Sequence, residues 1–95
     1  MNYLPYLKII HPQSKRKLKI LIDTGANKNI IAPGILEKTN QVPNTQIKNV
    51  GGTNNVTEKG KIDLFNGAFK PLSFYVLKFH HLFDGLIGSE TLKRA

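Results

Sequence analysis

Six carboxylates serve a chain of 95 residues that carries fourteen lysines and arginines, for a formal net charge of +8. Few groups are therefore available for acid–base work: Asp23, Glu37, Glu58, Asp63, Asp84 and Glu90. Asp23 has a setting unlike the others. The apolar run Ile20-Leu21-Ile22 delivers it to the end of a strand, and Thr24-Gly25-Ala26 follow at once, so the strand stops and a tight loop begins. One carboxylate on a loop is poorly equipped to split an amide. Two at hydrogen-bonding distance cannot both ionise, so they share a proton. The ionised member can then take a proton from water while the protonated member hydrogen-bonds a carbonyl oxygen. The chain has one such stretch, so the second carboxylate is expected from a second copy, in a homodimer.

The elements around this stretch read as short strands with glycine turns. Residues 3–10 form a strand, with Pro5 suggesting an edge position, and His11-Pro12-Gln13-Ser14 a turn. Lys15-Arg16-Lys17-Leu18-Lys19 leads into the apolar run, giving a hairpin with a basic tip. Such a tip could meet nucleic acid; a charged edge that discourages aggregation is the plainer reading. Ile30-Ile31-Ala32 is a short buried strand, Ile35-Leu36-Glu37-Lys38 one helical turn, and Thr39 to Gln46, with Pro43, a loop. Ile47–Val50 and Val56–Glu58 flank a glycine tip, Gly51-Gly52-Thr53-Asn54-Asn55, where positive φ and large backbone swings are open. Lys61–Phe65 is a further strand, Asn66-Gly67 a hairpin turn, and Phe69–Phe79 a strand that Pro71 places at an edge or bulge. Phe83–Gly88 is a second apolar strand closed by glycine. Ser89 caps a helix from Glu90 to about Arg94, with Lys93 and Arg94 in its last turn. The pattern predicts one all-β domain over 1–95: a small closed β-barrel with one short C-terminal helix.

Composition bounds the rest. The 40% apolar content suits a packed domain rather than a disordered tail, and so short a chain gains from burial at a subunit interface. No apolar run is long enough to cross a bilayer, and residues 1–6 lack a signal-peptide pattern. Cysteine is absent, which removes disulfide and thiol chemistry and fits an intracellular, cytoplasmic setting. His80-His81 lack companions for a metal, so neither metal nor cofactor is expected. The positive charge suits nucleic acid or an acidic partner. No aromatic–basic motif accompanies it, so a solvated surface is the preferred reading and nucleic acid is not the expected partner.

The order of the motifs carries a resemblance. Leu21-Ile22-Asp23-Thr24-Gly25-Ala26, then Val50-Gly51-Gly52, then Gly85-Leu86-Ile87-Gly88-Ser89 resemble the retropepsins, the aspartic proteases of retroviruses and long-terminal-repeat retrotransposons. The Asp-Gly-Leu-Ile-Gly ending looks most like gypsy-type elements. The resemblance spans nearly the whole chain. It implies the retropepsin fold and a homodimeric endopeptidase that cuts its own polyprotein, with Asp23 catalytic. It implies that the Thr24 hydroxyl bonds the opposite subunit's backbone, and that Gly25 and Ala26 leave room for substrate. A flap of Val50, Gly51, Gly52 and Thr53 would cover a peptide bound as an extended strand. Ile30, Leu86 and Ile87, with Val50, are candidates for pocket walls or equally for core packing.

Two departures stand out. Many retroviral members carry an acidic residue after Asp-Thr-Gly-Ala and a basic one after the later glycine, which pair near the dimer contact; here these are Asn27 and Ser89, and a weaker polar contact is expected instead. Retroviral members also continue into a terminal strand that interleaves with the partner's termini. The seven residues from Ser89 to Ala95 leave none, so the expected dimer is weak, uses another interface, or draws on sequence beyond these residues. Two other readings compete with the protease: an inactive retropepsin-like module for dimerisation or peptide binding, and a basic β-barrel that binds nucleic acid.

Overall fold

The apolar residues of the short strands fall on alternate faces, because successive side chains of a strand point to opposite sides of the sheet. In the computed structural model, which describes residues 5–12, 14–49, 52–63, 67, 70–78 and 82–93, both faces of the central strands are covered. Leu18, Ile20, Ile31, Ile62, Phe74 and Ile87 pack with Ile35 in one cluster. Leu21, Ile30, Ile47, Val56 and Leu86 pack with Ala26 in another. A strand buried on both sides reads as an unbroken apolar run, which is why Ile20-Leu21-Ile22 and Leu86-Ile87 do not alternate with polar residues.

Among the described residues, seven strands and one helical turn follow in order: β1 (Tyr6–Ile10), β2 (Lys17–Ile22), β3 (Ile30–Ile31), β4 (Asn40–Asn49), β5 (Gly52–Ile62), β6 (Leu72–Val76), β7 (Gly85–Ile87) and α1 (Ser89–Leu92). They form one sheet in the order β1-β2-β7-β3-β6-β5-β4. The all-β architecture with a short helix is as expected. The closed barrel is not: the described strands form an open sheet with β1 and β4 at its edges. β1, which follows Pro5, takes the predicted edge position. β2 and β7 run parallel, with Ile20 opposite Gly85, Leu21 opposite Leu86 and Ile22 opposite Ile87.

Several boundaries differ from the sequence expectation, each for a physical reason. Ile35–Lys38 makes no helical turn; four residues cannot offset helix nucleation, and Ile35 and Leu36 instead pack sideways onto the core. Thr39–Gln46 is not a loop, because β4 begins at Asn40 and passes Pro43 as a bulge. Gln41 faces Glu58 and Thr45 faces Val56, so β4 spends two more residues than β5 there, and its edge position tolerates the missing N–H. The glycine tip is shorter than expected: Gly52 to Asn55 already belong to β5, which runs unbroken to Ile62, so no separate strand begins at Lys61. β6 is interior, between β3 and β5, and Pro71 lies just before it. The N-cap of α1 is Gly88 rather than Ser89, and Lys93 follows the helix as its C-cap. Tyr3, Gln13, Val50, Gly51, Leu64 to Asn66, Phe69, Phe79, His80, His81 and Arg94, named above, lie outside the described residues.

Candidate functional site

Asp23 is positioned by the β2–β7 pairing. Its N–H donates to the Ile87 carbonyl (3.0 Å), extending the parallel ladder one residue past Ile22. The chain then turns. Gly25 N–H donates to Asp23 Oδ1 (2.9 Å), and Ala26 N–H donates to the Asp23 carbonyl (3.3 Å). A carboxylate that accepts from the amide two residues on forms an Asx turn, which both ends the strand and orients the acid. Thr24 and Gly25 are exposed, whereas Ala26 is buried in the second core cluster. Half-buried Asp23 keeps its other oxygen, Oδ2, without a hydrogen-bond partner among the described residues, and Asp23 joins no ion pair there.

The other acids are differently placed. Asp84 accepts from the Lys19 amide (2.8 Å) and lies 3.7 Å from the Arg16 guanidinium. Glu90 pairs with Lys28 (2.8 Å), Glu58 accepts from the Thr39 hydroxyl (2.6 Å), and Asp63 accepts from the Gly67 amide (3.1 Å). Exposed Glu37 lines a cavity on another part of the molecule. Asp23 combines a backbone bond to β7, an Asx turn that orients its carboxylate, and an uncommitted oxygen.

The loop after Asp23 is locked to the chain some sixty residues later. Ser89 N–H donates to the Ala26 carbonyl (2.8 Å), and Gly88 N–H donates to Asn29 Oδ1 (2.9 Å). Gly88 is required by space rather than by conformation. Its φ of −94° suits any residue, but a Cβ there would lie 2.6 Å from the Lys28 carbonyl oxygen and 2.9 Å from that of Ala26. Buried Asn29 completes the lock: its Nδ2 donates to the Ser73 carbonyl (3.0 Å) and to Thr91 Oγ1 (2.8 Å), and its carbonyl accepts from Tyr75 N–H (2.9 Å). Sequence reasoning missed Asn29. In Asn27-Lys28-Asn29 the two asparagines look alike, and only burial separates them.

Asn27 connects the same loop to the β4–β5 hairpin. Its N–H donates to the Lys48 carbonyl (3.2 Å) and its Oδ1 accepts from Lys48 N–H (3.0 Å), a two-bond clasp one residue before β4 ends. The expected Asn27–Ser89 contact is therefore replaced: Asn27 holds β4, Ser89 holds Ala26, and an ion pair of opposite polarity, Lys28 with Glu90, spans the next position along each segment. Past this clasp, Gly52 has φ +119°, which favours glycine strongly, and Gly52 and Thr53 are exposed.

Ile30, Leu86 and Ile87 are at most 4% exposed and pack in the two core clusters. They support the loop from beneath, and in the single chain they offer almost no surface to a ligand. A cavity of about 560 Å³ lies elsewhere, bordered by His11, Leu36, Glu37, Lys59 and Asp63, and one of about 290 Å³ borders Asn29, Tyr75 and Glu90. Neither is lined by residues 23–26. Among the described residues no cluster of side chains could hold a metal ion. No helix there is long and apolar enough to cross a membrane. No protein-family model matches the chain, and no curated protein or solved structure matches it.

Proposed function

We propose that this chain is a homodimeric aspartic endopeptidase with the retropepsin fold, and that it cleaves the polyprotein of a retroelement. The observation that carries the reading is the setting of Asp23: one carboxylate per chain, oriented by Gly25 N–H, anchored to β7, and otherwise uncommitted at an exposed loop. The motifs that carry the resemblance support it further. The Asp-Thr-Gly loop and Leu86-Ile87-Gly88-Ser89 lie side by side, and the Asn27 clasp brings the β4–β5 hairpin to the same loop.

In the dimer two Asp23 side chains face each other and share one proton. The ionised carboxylate takes a proton from a bound water, whose oxygen bonds to the scissile carbonyl carbon. The protonated carboxyl gives its proton to the carbonyl oxygen as the tetrahedral intermediate forms. Collapse breaks the C–N bond, and a proton passes to the departing amine. No covalent enzyme adduct arises. Exposed Thr24 is free to bond the partner's loop, and the hairpin tip around Gly52 covers the substrate from the other side.

The test is cleavage of extended, apolar-centred peptides at mildly acidic pH, with and without a statine-type inhibitor. Asp23→Asn is expected to lower kcat by about 10⁴-fold, the upper end for loss of a proton-transfer group, while concentration-dependent size measurement still shows a dimer. Unchanged cleavage by Asp23→Asn would overturn the catalytic assignment. A dimer that never cleaves favours the non-catalytic module.

A further inference from the structure

The positive charge of the chain is not spread evenly, and the register of the first hairpin shows where it collects. β1 and β2 pair with Tyr6 opposite Leu21, Lys8 opposite Lys19 and Ile10 opposite Lys17. These six residues share one face, and all but Leu21 are exposed. Two lysines directly across a strand pair repel each other and weaken the pairing. A hairpin that keeps them there, with Ile10 59% exposed beside Lys17, presents a surface better suited to a partner than to solvent.

The turn adds to this face and is itself ordered. His11 is buried, its Nδ1 shares a hydrogen bond with Ser14 Oγ (2.8 Å), and its N–H and carbonyl bond Arg16 and Lys15 respectively. Lys15, Arg16 and Lys17 therefore leave the hairpin from a fixed frame. Five cations, Lys8, Lys15, Arg16, Lys17 and Lys19, meet one described carboxylate, Asp84, beside Arg16 and the Lys19 amide.

Aromatic surface lies among these cations, although the sequence places none within the basic run. Lys19 Nζ sits 5.2 Å above the Tyr6 ring, and Tyr6 meets Phe83 edge-on, with centroids 6.0 Å apart. Tyr6 is 41% exposed. Cations that follow a backbone, with an aromatic face on which a base can stack, are the two elements of single-strand recognition. We propose that this face of the β1–β2 hairpin binds single-stranded nucleic acid through its phosphates, with Tyr6 stacking on a base. The face runs the length of β2: Tyr6 lies opposite Leu21, two residues before Asp23, and Lys17 lies at the far end, about 20 Å from Asp23 at strand rise.

The test is fluorescence anisotropy with a labelled single-stranded RNA 20-mer over a salt series. Wild type is expected to bind with a log–log salt slope near −3, as for about four phosphates on a single strand. Lys8→Ser/Lys17→Ser/Lys19→Ser is expected to weaken binding at least tenfold and to reduce the slope by about 2 units. Tyr6→Ala should weaken binding about tenfold and leave the slope unchanged. A charge-matched control, Lys38→Ser/Lys61→Ser/Lys70→Ser, removes three exposed lysines outside the hairpin and should bind nearly as wild type. Circular dichroism confirms that each variant is folded. Absence of RNA binding at low salt overturns the proposal, as does an equal loss in the control. Heparin competing as well as RNA while Tyr6→Ala is silent overturns it in favour of a general polyanion surface. Binding to phosphatidylserine vesicles but not RNA overturns it in favour of a membrane. Peptide cleavage, measured separately, reports on Asp23 and does not enter this outcome.

Discussion

The two ends of β2 are held in different ways. At the Lys17 end most bonds are local: the turn closes on His11, Ser14 and Arg16, and Asp84 is the distant residue bonded there, to Arg16 and Lys19, among the described residues. At the Asp23 end they are long-range. The loop is bonded to Lys48, Ser73, Tyr75, Ile87, Gly88, Ser89 and Thr91, residues distant in sequence. An exposed cation is well solvated and needs no rigid frame. A carboxylate that must keep an oxygen free and correctly aimed needs its backbone over-determined, because a small displacement of a reacting group costs rate steeply. The order at this end comes from neutral polar bonds, with the Lys28–Glu90 pair at its margin.

If this contrast is right, substitutions at the Asp23 end should cost much and those at the Lys17 end little. The largest stability effect is expected for Gly88→Ala. Its methyl meets two carbonyl oxygens, and a loss of about 3 kcal/mol should appear as a lower urea midpoint with unchanged slope. A wild-type midpoint would mean that the loop and Gly88 are not in close contact. Asn29→Ala comes next. It leaves the Gly88 amide and the Ser73 carbonyl short of partners in a buried place, for about 2 kcal/mol. Amide hydrogen exchange would sharpen this, since protection should fall at Gly88 before β1 or β2 is affected.

Smaller effects test the charges. A double-mutant cycle on Lys28→Ala and Glu90→Ala should return a coupling of about 0.5 kcal/mol, given side chains 30% and 53% exposed. That coupling should fade in about 1 M salt. A value several times larger would place electrostatics, rather than neutral hydrogen bonds, at the centre of the lock. The smallest effect is at the other end of β2. Lys8→Glu turns a repulsive cross-strand pair with Lys19 into an attractive one and should raise stability by about 0.3 kcal/mol. The same change should weaken RNA binding, and a variant both more stable and less able to bind would mark Lys8 as kept for the partner.

Much of this architecture is legible in the chain. The apolar runs at Ile20–Ile22, Ile30-Ile31 and Leu86-Ile87 announce β2, β3 and β7, because a strand covered on both faces has no polar phase to lose. Thr24-Gly25 marks the end of β2. β4 was hidden by Pro43, since a proline looks like a break unless the strand is known to lie at an edge with room for a bulge. Asn29 was hidden because a buried polar residue is defined by its surroundings.

By itself, the sequence determined that Asp23 ends a buried strand, that a short run of small residues follows it, and that basic residues far outnumber acidic ones. These are local or compositional properties, written in neighbouring residues. The tertiary structure decided which distant segments meet: β2 beside β7, Asn29 against Gly88, Asn27 against Lys48, and Tyr6 under Lys19. Such contacts follow from sheet order and register, which depend on burying both apolar faces at once, and no short stretch of the chain encodes that condition.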